Sequence, residues 1–182
     1  DLDLLDGSPP CQAFSMAGKR AKGWGHDRTY EHGAKQQNEL LFKDNIRILL
    51  EETDMDQTIS YAGTDDDADW FANMKACRVR RTDIGFVHDG VADLYASVKN
   101  EIHDFLNPDK VLRLTAHSQG AGPLALTAIH AAKRGQPIVA AHTFNGMMFG
   151  DGACCDVLKS LSVPLNTWII GWDRVCNLPP FG

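Results

Sequence analysis

The chain has 182 residues, enough for one domain with a full hydrophobic core. Hydrophobic residues make up 43% and charged residues 23%, an ordinary globular balance, and no run reaches the roughly 18 apolar residues of a membrane-spanning helix. The formal charge of −6 argues against nucleic acid as a partner.

Residues 1–36 read as an irregular arm, with Gly7-Ser8-Pro9-Pro10 and a basic stretch at Lys19, Arg20 and Lys22. Residues 37–52 are expected to be a helix, with Leu40, Leu41, Ile46, Leu49 and Leu50 as its buried stripe. Residues 58–61 read as a strand ended by Ala62-Gly63, and 67–74 as a short acidic helix carrying Trp70 and Phe71. Residues 79–87 are extended. Residues 89–106 form a helix in which Val91, Leu94, Tyr95, Val98, Ile102 and Phe105 keep the helical period, stopped by Asn107-Pro108. Then come a strand from Val111, a helix over 119–133, an apolar strand over 137–144, a helix over 151–162 and a strand over 165–170. Strands alternating with helices predict an α/β fold, a three-layer sandwich whose central sheet is mostly parallel and covered on both faces. The whole chain reads as one domain.

Between the strand from Val111 and the next helix stands Thr115-Ala116-His117-Ser118-Gln119-Gly120. Small-x-Ser-x-Gly at a strand-to-helix turn is a nucleophile elbow. The sharp turn projects the serine hydroxyl, and close packing demands small residues two before and two after it. Ala116 and Gly120 meet that demand. Ser118 is therefore the candidate nucleophile. The N–H of Gln119, at the start of the helix, is a candidate oxyanion donor.

The order of motifs resembles the class 3, fungal-type lipases of the α/β-hydrolase fold. Ile59-Ser60-Tyr61-Ala62-Gly63-Thr64 with Asp69-Trp70 is similar to that family's F-R-G-[ST]…D-W block. Val87-His88-Asp89-Gly90 is similar to V-H-x-G-F, and Thr143-Phe144-Asn145-Gly146 with Gly150-Asp151 to T-F-G-x-P-x-x-G-D. Asp173-Arg174-Val175-Cys176-Asn177-Leu178-Pro179-Pro180 is similar to D-x-V-P-x-L-P-P. The resemblance implies Ser118 as nucleophile, Asp173 as the acid behind a catalytic histidine, and Thr64 with Gln119 as the oxyanion hole. It implies hydrolysis of carboxylic esters, of the lipid or acylglycerol class, with no metal and no organic cofactor. There are departures: Ala62, Val91, Ala116, Asn145 and Met147 stand where the family has arginine, phenylalanine, two glycines and proline. They suggest a distant member.

The larger departure is the base. In this fold the histidine follows the acid, and none follows Asp173 in the sequence. A missing C-terminal segment or a partner chain supplying the histidine is one expectation. His88, before the helix at 89, is the in-chain candidate as site-lining residue or substitute base. The alternative to an enzyme is a catalytically incomplete α/β-hydrolase module that binds or supports. The five cysteines, Cys11, Cys77, Cys154, Cys155 and Cys176, fit no metal spacing and read as thiols, with one or two disulfides left open. The chain starts at Asp1 without methionine, so a fragment or processed product, and its compartment, are also open.

Overall fold

A computed structural model describes residues 37–43, 46–63 and 79–171. The expected N-terminal arm, the acidic helix over 67–74, Thr64 and Asp173 lie outside them. The described residues hold eight strands: β1 (Gln37–Lys43), β2 (Ile46–Glu52), β3 (Asp56–Tyr61), β4 (Val79–Thr82), β5 (Gly85–His88), β6 (Val111–His117), β7 (Ile138–Phe144) and β8 (Leu165–Trp168). Among the described residues three α-helices accompany them: α1 (Asp89–Phe105), α2 (Ala121–Lys133) and α3 (Gly152–Ser160). Among the described residues, no helix is long and apolar enough to cross a membrane.

The main sheet has the order β1-β2-β3-β6-β7-β8, antiparallel from β1 to β3 and parallel from β3 to β8. β4 and β5 form a separate antiparallel hairpin. This is the α/β-hydrolase sandwich that the alternation of elements predicts.

The helix expected over 37–52 is instead the hairpin β1–β2, with Gln37 opposite Glu52 and Lys43 opposite Ile46. In β2, Ile46, Ile48 and Leu50 are buried while Arg47 and Leu49 are partly exposed, a period of two. The leucine pairs at 40–41 and 49–50 satisfy a helical and an alternating pattern equally. The β-branched Ile46 and Ile48, with Asp44-Asn45 between the two runs, were the signals for strands and a turn. The extended segment 79–87 resolves into β4 and β5. At their turn, Thr82 Oγ1 donates to Gly85 O and accepts the Ile84 N–H.

Helices α1 and α2 lie on the sheet face formed by Ile48, Leu50, Ile59, Tyr61, Leu112, Leu114 and Ala116. Val91, Val98 and Ile102 of α1 and Leu124, Ala125, Ala128 and Ile129 of α2 complete the core. Each fully buried leucine or isoleucine contributes about 1.5–3 kcal/mol. The alanines let α2 lie close to the sheet. Tyr61 Oη and Thr127 Oγ1 hydrogen-bond at 2.5 Å, which ties the end of β3 to the middle of α2. Burial holds the Tyr61 phenol well above its ordinary pKa, so the pair stays neutral.

At the N-terminal ends of the parallel strands, Gln57 is 1% exposed and fully used. Its Nε2 donates to Phe105 O at 2.5 Å and to Glu52 Oε1 at 3.0 Å. Its Oε1 accepts from the Asn107 N–H and from Gln136 Nε2, each at 2.9 Å. One amide thus joins β3, the end of α1 and the turn after α2. Gln57→Leu orphans several of these partners at once and should lower stability by about 2–4 kcal/mol. The urea midpoint at constant m-value measures it, and an unchanged midpoint would show that the amide contributes nothing.

In the seam between α1 and α2, the rings of His103 and His130 stack at 3.5 Å between centroids and 8° between planes. Tyr95 Oη hydrogen-bonds His103 Nε2 at 3.1 Å. Burial, then the charge of His103 and of nearby cations, pushes His130 down to about 4. Burial, then Lys99 and Arg134, lowers His103, with Asp104 opposing. Both rings are therefore neutral in the folded state, and the unfolded chain takes up protons first. Their contribution is complete above the ordinary value of 6.5 and is lost as pH falls from there to about 4. Discounted for partial exposure, about 1–2 kcal/mol should disappear between pH 7.5 and 5.0 in denaturant titrations. His130→Gln should flatten that slope, and an unflattened slope would place the titration elsewhere.

Candidate active site

β6 alternates buried Leu112, Leu114 and Ala116 with the exposed Arg113 and His117, a pattern that two-faced packing imposes on a strand. The strand ends at His117 in extended backbone, and Ser118 follows with φ of +51°. That conformation is strained for a residue with a Cβ and costs about 1–3 kcal/mol unless its surroundings hold it. They do. A 3-10 turn over Ser118–Gly120 feeds directly into α2, with the Ala121 N–H bonding back to Ser118 O and Gln119 O. The Ser118 carbonyl also accepts the Met147 N–H at 3.3 Å. Ser118 is half-buried and Gln119 is buried. Pro123 lies in the first turn of α2, where no N–H is missed.

Two glycines carry the close packing. A Cβ on Gly120 would lie 2.8 Å from Tyr61 Cβ, 3.0 Å from Tyr61 O and 3.1 Å from Ala62 O. The first turn of α2 therefore rests on the backbone of β3. A Cβ on Gly63 would lie 2.8 Å from His117 Nδ1 and 3.2 Å from Ser118 Cβ. The segment leaving β3 thus runs over the elbow, one residue before Thr64. The sequence motif signalled Gly120. It gave no signal for Gly63 as part of the elbow.

The histidines divide by environment. His103 and His130 are engaged in the helix seam. Nδ1 of His142 accepts from Trp168 Nε1 at 3.3 Å on β7 and β8. His117 lies against Gly63. His88 ends β5 and is 1% exposed, and its N–H donates to Phe149 O at 3.1 Å. Val91, one turn further along α1, touches Gly122 in the first turns of α2. His26 and His32 lie outside the described residues, as do Thr64 and Asp173.

The residues after β7 also converge on the elbow. Met147 and Phe149 are buried, and Met148 is 37% exposed. Gly150 pairs with Val87, and Asp151 caps α3 by accepting the Cys154 N–H at 3.2 Å. Burial and the Asp151 carboxylate push the Cys154 thiol up to about 12, which leaves it unreactive at neutral pH. Among the described residues, no cluster of three or more histidine, cysteine, aspartate or glutamate side chains could hold a metal ion.

No family model matches the chain, and no curated protein matches it in sequence. Solved structures match it in shape. A Rhizomucor miehei lipase–propeptide complex superposes with a TM-score of 0.64 at 20% identity, covering 79% of this chain and 52% of that one. Lipase II from Rhizopus niveus gives 0.67 at 15% identity, covering 79% and 61%. A fungal lipase–inhibitor complex gives 0.66 at 20%, again covering 79% and 61%. The chain therefore spans between 52% and 61% of the length of these lipases. With its mostly parallel sheet and elbow turn, it has the fold of the fungal lipases.

Proposed function

We propose that the protein is a serine hydrolase that cleaves carboxylic esters, of the lipid or acylglycerol class. The observation that carries this reading is Ser118 at φ of +51°, held between a buried parallel strand and the start of α2. A fold alone needs no serine there, since glycine takes that conformation without strain.

In this mechanism Ser118 Oγ attacks the ester carbonyl carbon while a histidine takes its proton. The developing oxyanion lies at the N-terminal end of α2, where the Gln119 N–H donates to it and Thr64 donates from the other side. The histidine returns the proton to the departing alcohol, which leaves an acyl-serine. Water, deprotonated by the same histidine, adds to that acyl group and frees the acid. Asp173 fixes the histidine's tautomer and supports its charge. Burial of His88 favours a site-lining role over proton transfer, because a base must reach the substrate. A histidine other than His88 then serves as the base.

Apolar surface at the same end of the sheet favours an apolar acyl group. Phe144, Met148 and Trp168 are partly exposed there beside the buried Met147 and Phe149. The names of the three structural neighbours above, each a lipase, point the same way.

The test is pre-steady-state hydrolysis of p-nitrophenyl butyrate by the full-length protein. A burst of about one nitrophenolate per chain, followed by slower turnover, is the signature of an acyl-enzyme. Neither burst nor turnover above blank would leave the catalytically incomplete module as the better reading.

A further inference from the structure

At the elbow end of the sheet, one side chain joins two strand ends. Asn145 follows β7 with φ of +47°, a region that asparagine tolerates better than most residues. Its N–H donates to Trp168 O at 2.8 Å, and its Oδ1 accepts the Ile170 N–H at 2.7 Å. Two residues on, the Met147 N–H donates to the carbonyl of Ser118. Between them, a Cβ on Gly146 would lie 2.7 Å from Ala121 Cβ, so this short segment is pressed against the first residue of α2. Residues 145–147 therefore run from the elbow to the end of β8.

At Ile169 and Ile170, packing does little to fix the chain. Ile169 and Ile170 are 62% and 64% exposed. The side-chain bond from Asn145 is what holds Ile170, and Ile170 stands three residues before Asp173. Glycine would suit the positive φ at no steric cost. Asparagine tolerates the same backbone and adds an acceptor. We propose that Asn145 is a positioning residue that clamps the end of β8 to the elbow segment and sets the direction in which the chain leaves toward Asp173. The role in catalysis rests on the hydrolase reading above.

Two variants separate backbone from side chain. Asn145→Gly keeps the φ and loses the acceptor, whereas Asn145→Asp keeps both. In Asn145→Gly, exchange of the Ile170 amide should quicken at least about tenfold while core amides are unchanged. Reaction of Ser118 with a fluorophosphonate should slow by roughly 10–100-fold, the scale expected of a misplaced catalytic group. Asn145→Asp should restore both. Equal labelling rates for wild type and Asn145→Gly would overturn the positioning role. An unreactive wild type would instead remove the hydrolase reading. Ile170 exchange would then decide the clamp alone, with lost protection supporting it and unchanged protection overturning it.

Discussion

Ser118→Ala should abolish the nitrophenolate burst and lower kcat by on the order of 10⁴–10⁶, the loss seen when a nucleophile is removed from a triad. Alanine keeps the Cβ, so the strained turn and its packing on Gly63 remain, while the atom proposed to carry the acyl group is gone. Stability should hold steady or rise slightly, because the hydroxyl makes no contact on which the core depends. A variant that keeps its thermal midpoint and loses turnover assigns the chemistry to Oγ. One that keeps turnover assigns it elsewhere in the molecule.

Gly120→Ala is the second large effect, and its cause is steric alone. Gly120 has φ of −62° and ψ of −16°, a conformation that alanine adopts freely. The obstacle is the rigid backbone of β3: Tyr61 O and Ala62 O at 3.0 and 3.1 Å, and Tyr61 Cβ at 2.8 Å. None of these is the far end of a flexible side chain. The start of α2 must move away from β3, carrying Ser118 and the Gln119 N–H with it. Overpacking of this kind costs about 1–3 kcal/mol, and a displacement near 1 Å costs about 10²-fold in rate. Gly152 supplies the control. It begins α3 with nothing within 4 Å of its would-be Cβ, so Gly152→Ala should stabilise by a few tenths of a kcal/mol, up to about 1, and leave turnover alone. If Gly120→Ala were as benign as that control, helix α2 would not be seated on β3 as described.

The elbow was legible because its sterics are written in consecutive residues. Ala116, Ser118 and Gly120 announce a tight turn, and the alanines that follow keep a helical period through α2. Helix α1 was legible for the same reason, being long, periodic and stopped by Asn107-Pro108. The hairpin β1–β2 was not, because paired leucines fit two periods and the choice between them is made by pairing with β3. Helix α3 was placed two residues long at its C-terminal end and one at its N-terminal end, where Asp151 caps rather than joins it. Of the proposed site, local pattern put Ser118 and Gln119 at the strand-to-helix turn, which is where they stand. The parts of Gly63, Asn145 and Met147 depend on chain segments far apart in sequence, and no local pattern encodes them. The stack of His103 on His130 was hidden likewise, since each residue alone reads as a surface or packed histidine on its own helix.

The account turns on whether Ser118 is chemically activated. The most direct measurement is peptide mapping by mass spectrometry after the full-length protein reacts with a fluorophosphonate, beside the Ser118→Ala variant. The account predicts one phosphonyl group per chain, on the peptide containing Ser118, and none on the variant. An unmodified Ser118, or equal modification of the variant at another residue, would contradict it.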